Sequence, residues 1–227
     1  MKRILFTITL VFLIQNNIFA KSVLIQPKQV LDIQTGEMIN AQILIEDGVI
    51  KKISKNIKLS TAYEIIKLPD ITILPGLMDA HVHLIGNTEV KGYAGIANSS
   101  YLSTIYGVKN AKETLMAGFT TVRNVGAGNY ADVALRDAIN QNAVVGPTML
   151  VSGPPLGITG GHCDSNILPA EYDYKSQGVA DGPWEVRKKV RQNRKYGADL
   201  IKYCATGGVM SKNTNLNNRQ YTLEEMK

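Results

Sequence analysis

Hydrophobic residues recur along this chain with two different spacings, and the spacing changes near Gly76. Before that point, short β-branched and alternating runs predict strands at 23–25, 41–45, 49–53 and 63–67. The middle two runs flank Glu46-Asp47-Gly48, and an Asp-Gly dipeptide between such runs is a strong hairpin signal. Residues 21–75 are therefore predicted to form part of a small β-sandwich domain.

After Gly76, predicted strands alternate with predicted helices, which is typical of parallel βα units and an α/β fold. Strands are expected at 119–125, 148–151 and 199–205, after a first strand that ends near His83. A helical apolar stripe ends near Gly118 and comprises Leu102, Ile105, Val108, Ala111 and Leu115. In the next helix Asn129 is the expected cap, and the residues expected to face inward are Ala134, Leu135, Ala138 and Ile139. A third helix opens at Asp181 and Pro183 and closes at Gly197, and residues 224–227 lie inside a further one.

The first strand of this second region carries the most informative residues, His81 and His83. Alternate residues on a strand face the same side, so two imidazoles at this spacing can bind one divalent metal, with zinc the leading choice. The alternative is a pair of ordinary strand histidines. Because the chain has only three histidines, with His162 as the third, the sparing use of the residue favours a metal site and a metal-dependent hydrolase.

A lysine interrupts the apolar fourth strand, in Leu200-Ile201-Lys202-Tyr203. Burying an unpaired ammonium is costly, so the neutral amine is favoured. A neutral amine can take up carbon dioxide, and the resulting carbamate on Lys202 would bridge two metal ions that share a hydroxide nucleophile. A snorkelling lysine or a buried salt bridge is the alternative. Function gathers at the carboxyl ends of strands in parallel βα barrels, where His81, His83, His162 and Lys202 are all expected.

The first twenty residues are typical of a secretory signal peptide, with Lys2 and Arg3 before an apolar run and Ala20 as the last residue removed. The apolar run is too short for a membrane anchor, so we expect a secreted or periplasmic protein. Without Lys2 and Arg3, 23 basic and 19 acidic residues leave a net charge of +4, and no nucleic-acid signature is present. Cys163 and Cys204 could bridge if their strand ends are neighbours, although two free thiols are favoured.

Four motifs together resemble the amidohydrolase superfamily, in its imidazolonepropionase-like branch that includes secreted Xaa-Pro dipeptidases. The resemblance covers nearly all of residues 22–227, and its motifs are Pro75 to Leu84, Gly118 to Arg123, Thr159 to His162, and Gly197 to Lys202 with Ala205 to Gly208. It implies a β-sandwich beside a (β/α)8 TIM barrel, with His81 and His83 on the more buried metal and a carboxylated Lys202 between two metals. It also implies that His162 contacts a small-molecule or dipeptide substrate, although a hydrogen-bonding loop histidine is an equal alternative.

Two departures from the family pattern matter. Asn124 stands where relatives commonly have Asp. The family site also needs two later histidines and a general-base aspartate, which we expect beyond residue 227. Since residues 76–227 number 152 and a full barrel takes about 250, the region is expected to be the first half of a truncated barrel.

The resulting hypothesis is an amidohydrolase that acts on Xaa-Pro-type dipeptides, inactive as this chain alone. Within enzymes, the alternatives are a cyclic-amide hydrolase and a deaminase. The alternative outside enzymes is a non-catalytic fragment. Its exposed strand edges would favour pairing with another copy of the chain, so a homo-oligomer is a further possibility.

Overall fold

The computed structural model describes residues 22–59 and 63–227, and the predicted signal peptide at 1–20 lies outside them. The chain separates into two compact units, with the division between Pro75 and Gly76. Each unit has a hydrophobic core of its own.

The first unit is a five-stranded mixed sheet. Its strands are β1 (Val23–Leu31), β2 (Met38–Ile39), β3 (Gln42–Glu46), β4 (Val49–Ser54) and β5 (Glu64–Ile73). Strand β1 pairs antiparallel with β2 and β3 and parallel with β5. Strands β1 and β5 are longer than the strands predicted at 23–25 and 63–67, because they continue through Pro27 and Pro69. The β1–β5 register shifts just after Pro27.

The predicted hairpin is confirmed by the antiparallel pairing of β3 with β4. Its turn residues Asp47 and Gly48 both have positive φ angles, 54° and 74°. Two consecutive positive φ angles match the twist of the flanking strands, and an Asp-Gly dipeptide tolerates that conformation with little strain.

The second unit is built on three parallel strands in the order β6-β7-β8, as expected for successive strands of a barrel. These strands are β6 (Leu77–Val82), β7 (Phe119–Asn124) and β8 (Thr148–Val151). The helices are α1 (Tyr93–Ala97), α2 (Ser100–Met116), α3 (Ala131–Asn140), α4 (Gly182–Lys195) and α5 (Leu223–Met226), with short 3-10 turns at Gly128–Tyr130 and Ala170–Tyr172. The alternation of strand and helix predicted after Gly76 is present.

One face of this sheet packs against the helices. Val122 and Asn124 of β7 and Met149 and Val151 of β8 are buried, whereas the residues between them, such as Leu150, are exposed. The buried strand residues pack with side chains of the helices in one cluster, which includes Ala111 and Leu135. This layer fixes the strand ends on which the candidate site is built.

Three details of the predicted helices differ in the structure. Asn129 does not cap α3, because it lies inside the preceding 3-10 turn at φ 53° and Tyr130 occupies the cap position without a side-chain hydrogen bond. Ala134 is exposed, while Leu135 is buried as expected. In α2, Ile105 is 66% exposed, since the helix turns Gly107 and Ala111 toward the sheet.

The fourth predicted strand forms only an isolated parallel bridge, between Leu156 and Tyr203. The Asp199 N–H donates to the Val151 carbonyl (2.8 Å), and the Leu156 N–H donates to the Lys202 carbonyl (2.8 Å). Residues 199–204 therefore run beside the extension of β8 in the fourth barrel position, although they lack a continuous ladder. No helix within residues 22–59 and 63–227 combines the length and apolar character needed to cross a membrane.

Candidate metal centre

The two imidazoles of the His-x-His motif meet at the carboxyl end of β6. The ring centroids of His81 and His83 are 5.3 Å apart, with the ring planes inclined by 66°. The end of the strand is anchored to β7 by the Val125 N–H, which donates to the Val82 carbonyl (3.1 Å). Before it, the His81 N–H donates to the Asp79 carboxylate (2.9 Å). The motif therefore brings two imidazole rings together at the end of an anchored strand.

The surroundings of His83 lower the pKa of its imidazole and so favour the neutral form. Partial desolvation is the largest cause of a lowered pKa, and the nearby His81 lowers it further, against an opposing interaction with the Gly126 backbone. Lys202 and His162 also lower the pKa of His83 electrostatically, so both lie within range of its ring. A neutral imidazole carries the lone pair that a metal ion needs.

His162 is held from three sides at the loop that follows β8. Its Nδ1 is hydrogen-bonded to the Ser211 hydroxyl, and its backbone N–H donates to the Gln220 side chain (3.1 Å). Its ring packs directly on Gly208, so closely that a Cβ at residue 208 would overlap the ring. The ring therefore has a fixed position, and residue 208 must be glycine unless the ring moves.

Lys202 is half-buried on the segment that runs beside β8. Two backbone hydrogen bonds to Leu156 fix the backbone of this segment. The Leu156 N–H donates to the Lys202 carbonyl, and the Leu156 carbonyl accepts from the Cys204 N–H (2.9 Å). The structure thus brings the four predicted site residues, His81, His83, His162 and Lys202, to one end of the second unit. Their roles as ligands or substrate contacts stay predictions.

A disulfide joins the loop of His162 to the segment of Lys202. Cys163 and Cys204 are bonded, with their Cα atoms 5.9 Å apart, so the expectation of two free thiols is wrong. The physical reason is the parallel bridge between Leu156 and Tyr203, which draws the loop after β8 alongside the fourth segment. Sequence alone did not show that these two segments are neighbours.

A buried polar pair, Asn124 and Asp132, connects the carboxyl ends of all three strands. The Leu84 N–H donates to Asn124 Oδ1 (2.8 Å), and Asn124 Nδ2 donates to Asp132 Oδ2 (3.3 Å). Asp132 in turn accepts from the backbone N–H groups of Gly153 (3.0 Å) and Val133 (2.9 Å). Asn124 was recognisable in the sequence as a departure from the family pattern. Asp132 was missed, because its only sequence signal was an acidic residue in the first turn of a helix.

A recess of about 440 Å³ borders His83, between the first turn of α2 and the loop that precedes α3. Its lining includes Ile85, Ser100, Ser103 and Asn129, and apart from the imidazole it contains no titratable side chain among the described residues. Cavities of this size accommodate small molecules.

The side chains around His83 supply only part of a metal site. Among residues 22–59 and 63–227, no three His, Cys, Asp or Glu side chains converge on a point where a metal ion could sit. Two adjacent imidazoles, one of them held neutral, fit part of such a site, and Lys202 is a nearby group that chemistry could turn into an anionic ligand. The residues present therefore fit a metal ion once further ligands are supplied.

Comparison with known proteins identifies the family to which this chain is similar. Residues 72–227 match the model of the amidohydrolase family. An ochratoxinase of Aspergillus niger is 33% identical over 210 residues, which cover 83% of this chain and 43% of that protein. The structure of a Xaa-Pro dipeptidase with methionine bound in its active site is similar with a TM-score of 0.81 and 36% identity, over 91% of this chain and 52% of that one. A prolidase complexed with N-methylphosphonate-L-proline has a TM-score of 0.76 and 27% identity, over 91% and 52% of the two chains. The chain thus spans about half the length of these relatives.

Proposed function

Because this chain belongs to the amidohydrolase family, we propose that it contributes to the metal-dependent hydrolysis of amide bonds in small substrates, most plausibly Xaa-Pro dipeptides. The observation that carries the proposal is the pair of adjacent imidazoles, with Lys202 and His162 within electrostatic range of His83. The similarity to a Xaa-Pro dipeptidase and to a prolidase supports the choice of dipeptides.

The residues have separate tasks in this proposal. His81 and His83 hold one metal through neutral ring nitrogens. The neutral Lys202 amine would combine with carbon dioxide and release a proton, and the resulting carbamate would supply an anionic ligand shared by two metals. Divalent ions held there, which we propose to be zinc, would supply Lewis acidity for the amide carbonyl and would favour a water nucleophile near neutral pH.

Substrate contacts and proton transfer involve other groups. His162 is fixed by Ser211 and Gly208 and contacts the substrate. The recess beside His83 offers aliphatic and neutral polar side chains, which suits an uncharged part of the substrate. The general base would be an aspartate that the residues assigned here do not include, and it would pass a proton to the leaving amine. A secretory signal peptide at residues 1–20 would direct the protein to the periplasm or the exterior.

A test compares the full-length protein with Lys202→Ala and with Lys212→Ala, an exposed lysine of the same unit that serves as the matched control. Metal analysis and turnover of Xaa-Pro dipeptides should show two metals in the wild type and in the control, with at most one metal and little turnover in Lys202→Ala. Fewer than two metals in the wild type, or equal turnover in all three proteins, would contradict the proposal.

A second candidate substrate is ochratoxin, because an ochratoxinase is 33% identical to this chain. The same proteins, assayed with ochratoxin and with a cyclic amide, separate these candidates. A kcat/KM for ochratoxin far above that for every Xaa-Pro dipeptide would favour this candidate and displace the dipeptide.

A further inference from the structure

We infer that Asn124 and Asp132 form a buried positioning pair that holds His83 in place for metal binding; this rests on the proposed role of His83 as a ligand. Both side chains are fully inaccessible to solvent. Neither lines the recess beside His83, so any influence on the metal site must pass through the groups they bind.

The influence passes from Asn124 to His83 by two routes. Asn124 Oδ1 accepts from the N–H of Leu84, the residue that directly follows His83, at 2.8 Å. Asn124 Nδ2 donates to the Gly126 carbonyl (3.3 Å), and the Gly126 backbone interacts with the His83 ring. One amide therefore fixes both the backbone beside His83 and the backbone against which its ring rests.

Asp132 fixes the orientation of that amide. Its Oδ2 lies 3.3 Å from Asn124 Nδ2 and also accepts from the Gly153 N–H (3.0 Å). Since a carboxylate only accepts hydrogen bonds, it requires the NH₂ side of Asn124 to face it and the oxygen to face Leu84. The loops after β6, β7 and β8 are thereby joined through one carboxylate and one amide.

Removing such a partner should weaken metal binding beyond any general loss of stability. Direct hydrogen-bonding partners of metal ligands typically change metal affinity by about 10–100-fold when they are mutated. Asn124 binds the backbone beside His83 rather than its ring, so we expect a loss near the lower end of that range. The chain offers a matched control in Asn193, which is 2% exposed and donates to the Ser152 and Pro154 carbonyls rather than to the His83 segment.

The experiment measures the zinc dissociation constant of the full-length protein by competition with a chromophoric chelator, and the visible spectrum of its cobalt-substituted form. Asn124→Ala should bind zinc about 10-fold or more weakly and shift the cobalt spectrum. Asn193→Ala should lose comparable thermal stability while its zinc affinity and cobalt spectrum stay those of the wild type. Asp132→Asn, which keeps the shape but turns an NH₂ group toward Asn124, should weaken zinc binding in the same direction.

The double variant Asn124→Ala/Asp132→Asn should bind zinc no more weakly than Asn124→Ala, because Asp132 acts through Asn124. Additive losses would overturn the inference, as would equal losses in Asn193→Ala or unchanged zinc affinity in Asn124→Ala. If Asn124→Ala does not fold, unchanged zinc affinity in Asp132→Asn overturns it instead. A wild-type protein that binds no zinc would instead refute the proposed function itself, so the two failures are distinguishable.

Discussion

Removing the disulfide is predicted to destabilise the second unit strongly. Cys163 and Cys204 are separated by 41 residues, and both would be replaced by serine. In the chain-entropy account, a loop of this length contributes about 4 kcal/mol to the free energy of unfolding by restricting the unfolded chain. The cross-link also joins the loop of His162 to the segment of Lys202, so its loss should loosen the candidate site.

The assay is equilibrium unfolding in guanidinium chloride, followed by circular dichroism, for the wild type and for Cys163→Ser/Cys204→Ser. We expect the midpoint to fall and the free energy of unfolding to decrease by about 4 kcal/mol. Wild-type protein treated with a reductant should match the double variant, which separates the bond itself from the serine substitutions.

A thiol titration of the unfolded, unreduced protein provides an independent check. It should find no reactive thiol, since the described cysteines are paired. Two reactive thiols would show that the cysteines are not bonded. A loss of less than about 1 kcal/mol in the double variant, against the roughly 4 kcal/mol expected from loop closure, would show that the bond does not stabilise the fold as predicted.

Three further predictions concern the framework of the fold. Leu135 is 1% exposed in the core of the second unit, so Leu135→Ala should lower the free energy of unfolding by about 2–5 kcal/mol, measured by denaturant titration. A smaller loss would mean that the core is not packed as described. Gly48→Ala, at φ 74° in the hairpin turn, should cost about 1–2 kcal/mol, whereas Gly95→Ala, in a helix at ordinary φ, should not lower the melting temperature. Burial alone would raise the pKa of Asp181, but hydrogen bonds from Thr159 and the charge of Lys175 lower it below its ordinary value of 3.8. The charged form of Asp181 is therefore favoured in the folded state. The stability that it contributes is present above the unfolded-state pKa of 3.8 and is lost as the pH falls through the lower pKa of the folded state. Asp181→Asn should flatten the acid-side decline in stability, and an unchanged pH profile would contradict this sign.

Local signals in the sequence were sufficient for most of the fold. The Asp47-Gly48 turn, the helix opened by Asp181 and closed at Gly197, and the strand at Thr148–Val151 all match the structure, because each depends on conformational preferences within a few residues. The predicted role of Asn129 as a helix cap was wrong, because a tertiary contact decides its conformation. Its N–H donates to the side chain of Gln177, far along the chain (2.7 Å).

The candidate site was predictable only in part. The proximity of His81, His83 and Lys202 could be predicted, because the carboxyl ends of parallel strands gather at one edge, while their roles stay predictions. The Cys163–Cys204 bond was foreseen only as the less favoured alternative, and the Asn124–Asp132 pair was not foreseen, since both join segments whose proximity depends on how the loops after the strands return. Asp132 carries no motif, and its importance appears only in its complete burial and its partners.

In the proposed function, His81 and His83 hold a metal ion that Lys202 shares as a carbamate. The most direct test is anomalous diffraction at the zinc edge from crystals of the full-length protein grown with zinc and bicarbonate. We predict a peak about 2.0–2.1 Å from one ring nitrogen of each histidine, and a second peak bridged to the first by added density on Lys202 Nζ. Zinc bound elsewhere, or an unmodified Lys202 with no metal between the two imidazoles, would contradict the account.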